Sequence, residues 1–163
     1  MARKLEAAGA DFLVMPCNTA HAFLPAIASA VDIPMLDVVA LSIAQMKAHE
    51  RMPERIAMLA SPAVRLVGLF EARFARVGLQ PIFADEETEA RLLEIIRAVK
   101  AGHITPSLQR TYEAIANRLA EEKVDAYLVA CTELSLLKAP DVVPPVIDTL
   151  DVLVHATVKM AKG

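Results

Sequence analysis

The chain has 163 residues, a net charge of −3 at pH 7, 55% apolar residues and only 4% aromatic ones. That length allows one large domain or two small ones with a sizeable core, and no Lys/Arg run points to nucleic acid or an anionic membrane. No apolar stretch approaches the roughly 18 residues that a membrane-spanning helix needs.

Short apolar runs alternate with amphipathic stretches, the pattern of βα units on a parallel sheet. The periodicity predicts a helix at 2–9, a strand at 11–16 and a helix at 19–30. The strand IPMLDV (33–38) leads into a helix that ends before Pro53. A strand at 55–60, a helix at 62–77 closed by Gly78 and a strand at 79–84 follow. Helices are expected at 86–101, closed by Gly102, and at 106–122, with Thr105 as N-cap ahead of Pro106. A strand at 125–130, a short helix from 132, a strand at 145–149 and a last helix complete the order. The start, MARKLEAAGAD, lacks the continuous apolar run of a signal peptide, so a cytoplasmic protein with reduced thiols is expected.

Two segments match at a shift of 114 residues: KLEAAGADFLVMPCNT (4–19) and RLAEEKVDAYLVACTE (118–133). Leu5 pairs with Leu119, Asp11 with Asp125, and Cys17 with Cys131. In each copy a helix leads into a strand whose C-terminal end carries a cysteine. The second copy is preceded by residues 55–117, for which the first half has no counterpart. The expected architecture is therefore α/β, with two pseudo-symmetric Rossmann-like lobes and mostly parallel sheets. The first lobe would lack its N-terminal strand–helix–strand part. Lobe one is assigned 1–50 with 147–163 returning to it, and lobe two 51–146.

In open parallel sheets, ligands bind outside the carboxyl ends of the strands, where both cysteines are expected. Helix starts after them would stabilise thiolates. Asn18, Thr19 and Thr132 add short side chains suited to hydrogen-bonding a thiolate or a carboxylate. Two thiols across one cleft can remove a proton from one face of a carbon and return it to the other. A Cys17–Cys131 disulfide is the minor reading. His21, one turn after Cys17, either tunes the thiol or packs. His49, His103 and His155 share no ligand spacing with the cysteines, so no zinc is expected, and no glycine-rich phosphate loop calls for a cofactor.

MPCNTAH and ACTELSLL resemble the paired cysteine motifs of the aspartate/glutamate racemase superfamily, and VKAG (99–102) is similar to a stretch of the aspartate racemases. Cys-Thr-Glu at 131–133, where glutamate racemases typically carry Cys-Thr-His, resembles the aspartate and broad-specificity amino-acid racemases. The resemblance implies cofactor-independent racemisation of an amino acid, most simply aspartate or glutamate, with Cys17 and Cys131 as the catalytic pair. It implies that Asn18, Thr19 and Thr132 hold the α-carboxylate and amino group, and that Lys100 meets the side-chain carboxylate. Glu133 either orients the cleft beside the substrate or begins a helix, and Ser61, a further substrate-binding candidate, stands where relatives usually have Thr. A homodimer is likewise implied. The family's glycine-rich strand end and its substrate-gripping arginine are not found here, so the chain alone is expected to be nearly inactive. Within the superfamily, a maleate isomerase or hydantoin racemase is the alternative, and a non-catalytic remnant is the alternative outside it.

Overall fold

The computed structural model describes residues 1–163. Helix α1 spans Ala2–Ala7, a 3₁₀ turn spans Thr19–Phe23, and α2 and α3 span Leu24–Ala28 and Val38–Lys47. Strand β1 (Arg55–Ala60) is followed by α4 (Pro62–Leu66), α5 (Glu71–Ala75) and β2 (Gln80–Ile82). Helices α6 (Glu86–Lys100) and α7 (Pro106–Ala120) lead to β3 (Ala126–Ala130) and a 3₁₀ turn at Leu134–Leu136. Strand β4 (Val146–Asp148) and α8 (Thr149–Lys162) end the chain. The four strands form one wholly parallel sheet in the order β2–β1–β3–β4.

The sheet is covered on both faces, which is why β3 reads as the unbroken apolar run AYLVA, buried throughout. Ala57, Leu59, Tyr127 and Val129 pack with residues of α6 and α7 on one face. Ile56, Met58, Ala126 and Leu128 pack on the other with residues of α3, α4, α5 and α8. Burying each large apolar side chain of these layers contributes about 1.5–3 kcal/mol. The Tyr127 hydroxyl, also buried, donates to the Ala116 carbonyl at 2.8 Å. Where helices begin, carboxylates and hydroxyls satisfy the free N–H groups: Asp85 accepts from Thr88, Thr105 from Leu108 and Asp148 from Leu150.

The first half repeats the β3–β4 pairing in miniature. Leu13 N–H donates to Pro34 O at 2.8 Å, as Tyr127 N–H donates to Pro145 O at 2.8 Å. Leu13 bridges Met35 in parallel, as Tyr127 is in register with Val146. The strands expected at 11–16 and 33–38 are thus reduced to one bridge. Pro16 closes the first segment, and the pairing does not extend beyond the bonds Leu13 N–H to Pro34 O and Leu36 N–H to Leu13 O. Strand β3 has strand neighbours on both sides, whereas the Leu13 segment is paired only to Met35. Beside it lies an apolar groove lined by Leu5, Leu13, Val14, Met15, Ile27 and Met35.

Two of the longer expected helices are not continuous. The helix expected at 62–77 is broken into α4 and α5 around Gly68, whose φ of +60° does not continue a helix. The helix expected at 19–30 begins as a 3₁₀ turn and becomes α-helical at Leu24–Ala28, with Pro25 in its first turn.

Candidate active site

Three strands deliver polar or thiol groups to one edge of the sheet. Ser61 follows β1, Cys131 follows β3 and Thr149 follows β4. The register pairs Ala60 with Ala130 and Val129 with Asp148, so these followers stand side by side at the carboxyl edge. Ser61 caps α4 by accepting from Ala63 N–H at 3.3 Å. Asp148 caps α8 and also accepts from the Ser135 hydroxyl at 2.8 Å.

The turn carrying Cys17 is held at the same edge by two side chains. Asn18 Nδ2 donates to Thr149 Oγ1 at 2.9 Å. His21 Nε2 accepts from Val38 N–H at 3.2 Å, so Nδ1 carries the ring proton and donates to Cys17 O at 2.8 Å. Both nitrogens of this buried ring are thereby used in fixing backbone, which makes His21 a packing residue. Cys17 itself is exposed, and Thr19 opens the 3₁₀ turn half-buried.

Cys131 differs. It is buried, and its Sγ donates to Glu133 Oε2 at 3.1 Å. Thr132 Oγ1 reaches the same oxygen at 3.4 Å, and Lys100 Nζ lies 3.3 Å from Glu133 Oε1. Burial first, then the hydrogen bond and negative charge of Glu133, push the Cys131 thiol up to about 12. Backbone N–H groups of Glu133 and Leu134 pull the other way but are outweighed. The lowering expected of a helix start therefore does not prevail, and the element that follows is a three-residue 3₁₀ turn. Burial also acts against the Glu133 carboxylate, but the bonds from Cys131 and Lys100 keep it below the ordinary glutamate value.

The structure therefore gathers Lys100, Cys131, Thr132 and Glu133 in one hydrogen-bonded group, while the turn of Cys17 and Asn18 is tied through Thr149 to the main chain of Val129, two residues before Cys131. Both cysteines are free thiols. No group of three or more His, Cys, Asp or Glu side chains is placed to hold a metal ion. No helix is long and apolar enough to cross a membrane. Sequence patterning does not single out Thr149. The signal was available, since PMLDV (34–38) and PVIDT (145–149) repeat each other with a capping aspartate in each.

The sequence profile of the family described as Asp/Glu/Hydantoin racemase matches residues 1–157. The chain is 25% identical over 156 residues to the broad specificity amino-acid racemase RacX of Bacillus subtilis (strain 168), covering 95% of this chain and 66% of that protein. It thus spans just under two thirds of that curated relative. The solved aspartate racemase of Picrophilus torridus superposes with a TM-score of 0.82 at 24% identity, over 99% of this chain and 66% of that one. The glutamate racemase of Campylobacter jejuni subsp. jejuni gives a TM-score of 0.67 at 21% identity, over 98% and 64%. These two likenesses speak to the fold.

Proposed function

The chain belongs to the Asp/Glu/Hydantoin racemase family, and on that premise we propose that it serves cofactor-independent racemisation of an amino acid by two thiols. The observation that carries this reading is the matched placement of the cysteines. Leu13 N–H to Pro34 O and Tyr127 N–H to Pro145 O are equivalent bonds, each four residues ahead of a cysteine.

In the proposed reaction the Cys17 thiolate takes the α-proton from one face, and the electron pair of the broken C–H bond stays on the carbon. The neutral Cys131 thiol gives its proton to the opposite face, forming the new C–H bond. Cys17 ends as thiol and Cys131 as thiolate, the state from which the reverse reaction starts. The raised Cys131 thiol supports its role as the donor in this direction. Asn18, Thr19, Ser61 and Thr132 are proposed to hold the α-carboxylate and amino group. Lys100, largely exposed beside Glu133, is proposed to meet a side-chain carboxylate, which favours aspartate or glutamate.

The test is incubation with each enantiomer of aspartate and glutamate in deuterated water, with chiral chromatography and maleate alongside. It is run on this chain and on the same chain carrying an added strand–helix–strand unit ahead of Met1. Racemisation with one α-deuterium entering the product is the expected result. Turnover of maleate alone would move the protein to the isomerase branch, and no turnover in either form would leave a non-catalytic fold.

A further inference from the structure

Two interior hydrogen bonds join the turn bearing Cys17 to the strand bearing Cys131. Asn18 Nδ2 donates to Thr149 Oγ1, and Thr149 Oγ1 donates to the main-chain oxygen of Val129, each at 2.9 Å. Asn18 is 4% exposed and Thr149 1%, so water does not compete for either bond. Chemistry fixes the direction of this chain of bonds. A carbonyl only accepts, so Thr149 gives its single proton to Val129 and offers Asn18 a lone pair. The Asn18 amide must then face Thr149 with its NH₂ group, leaving Oδ1 turned away, buried and without a protein partner.

In the repeated segments PMLDV and PVIDT, Val38 and Thr149 occupy the same place, the first residue of the helix after the capping aspartate. Both grip the Cys17 turn. Val38 does so with its backbone N–H, through His21; Thr149 does so with its side chain, through Asn18. Of the two, only Thr149 extends the contact to β3, at a residue two before Cys131.

We infer that Thr149 is a positioning residue that sets the Cys17 turn against the end of β3, and so sets one thiol relative to the other. The inference rests on the two-thiol reading for its catalytic meaning, while the strut itself is a property of the fold. A misplacement of about 1 Å at reacting groups can lower a rate by about a hundredfold.

The experiment compares Thr149→Val, which keeps the shape and removes the hydroxyl, with Thr149→Ser, which restores it. Native-state amide exchange on the full chain should show residues 18–23 exchanging at least about tenfold faster in T149V. Amides of β1 and β3 should be unchanged, and T149S should match the parent. In whichever form of the chain racemises, T149V should lower kcat about a hundredfold with KM little moved, and T149S should recover most of the rate. Should T149V fail to fold, Asn18→Asp, read by exchange alone, removes the donor from the other end and should loosen the same segment. Unchanged exchange at 18–23 would overturn the inference. So would equal acceleration throughout β1 and β3, or parental kcat in T149V. Because the exchange measurement needs no turnover, absence of racemisation would count against the proposed function and leave the strut to be judged separately.

Discussion

Cys131 Sγ donates to Glu133 Oε2 at 3.1 Å, while Lys100 holds the other carboxylate oxygen from 3.3 Å. The thiol is therefore tied to a carboxylate whose charge is itself anchored. Burial and that neighbour lift Cys131 from 9.0 to about 12, which reduces its thiolate fraction near neutral pH about a thousandfold. Alkylation by iodoacetamide, followed residue by residue by mass spectrometry, should label exposed Cys17 well before Cys131. The Cys131 rate should keep rising above pH 9. Glu133→Gln removes the negative charge and should bring that rise to lower pH. A Cys131 profile that levels off near pH 9 in the parent chain would contradict this account of its environment.

The same shift makes an alkaline stability prediction. The folded chain retains the Cys131 proton over a range in which the unfolded chain has released it. The stabilisation is thus complete below the unfolded value of 9.0 and is lost as pH rises through about 12. Urea midpoints should fall between pH 9 and 11, and Cys131→Ala should show a shallower fall.

His21 joins the Cys17 carbonyl to the first residue of α3. His21→Ala would leave the buried Val38 N–H and the Cys17 carbonyl unsatisfied, at about 1–3 kcal/mol for a buried group. Urea unfolding should register that loss. Retention of full stability would show that neither bond matters to the fold.

The parallel sheet and the strand-end placement of Cys131 were legible because strong signals carried them: buried apolar runs and a segment match ending in Cys17 and Cys131. What was illegible had local causes. The two expected strands, the first closed by Pro16, shrink to the Leu13–Met35 bridge, and Gly68 splits a helix that periodicity reads as continuous. The repeat of PMLDV in PVIDT was hidden because its spacing is 111 residues while that of the cysteines is 114. Thr149 reads in sequence as an ordinary helix start. Its contact with Asn18 bridges 131 positions, which no local pattern encodes.

At the start of α3, Arg73 grips Asp37 with two bonds, Nη1 to Oδ1 at 2.9 Å and Nη2 to Oδ2 at 2.8 Å. Burial acts against the Asp37 carboxylate, but the Arg73 bond, the Ala40 and Val39 N–H groups and the Arg73 charge hold it below its ordinary 3.8. Its stabilisation is therefore fully present above pH 3.8 and is lost as pH falls through the lower folded value. Asp37→Asn keeps a capping oxygen and loses the ion pair, so a loss of about 1 kcal/mol or less is expected at pH 7. The difference from the parent should shrink below pH 3.8, as urea titrations at several pH values would show.

Inversion at the α-carbon by two thiols requires a separate contribution from each. The measurement is interconversion of L- and D-aspartate and L- and D-glutamate in deuterated water by the parent, Cys17→Ser and Cys131→Ser chains, in the form that racemises. The parent should place one deuterium at the α-carbon of the inverted product. Each serine variant should lose racemisation by several powers of ten, each factor of ten being about 1.4 kcal/mol of barrier. Parental turnover in either variant would contradict the two-thiol account.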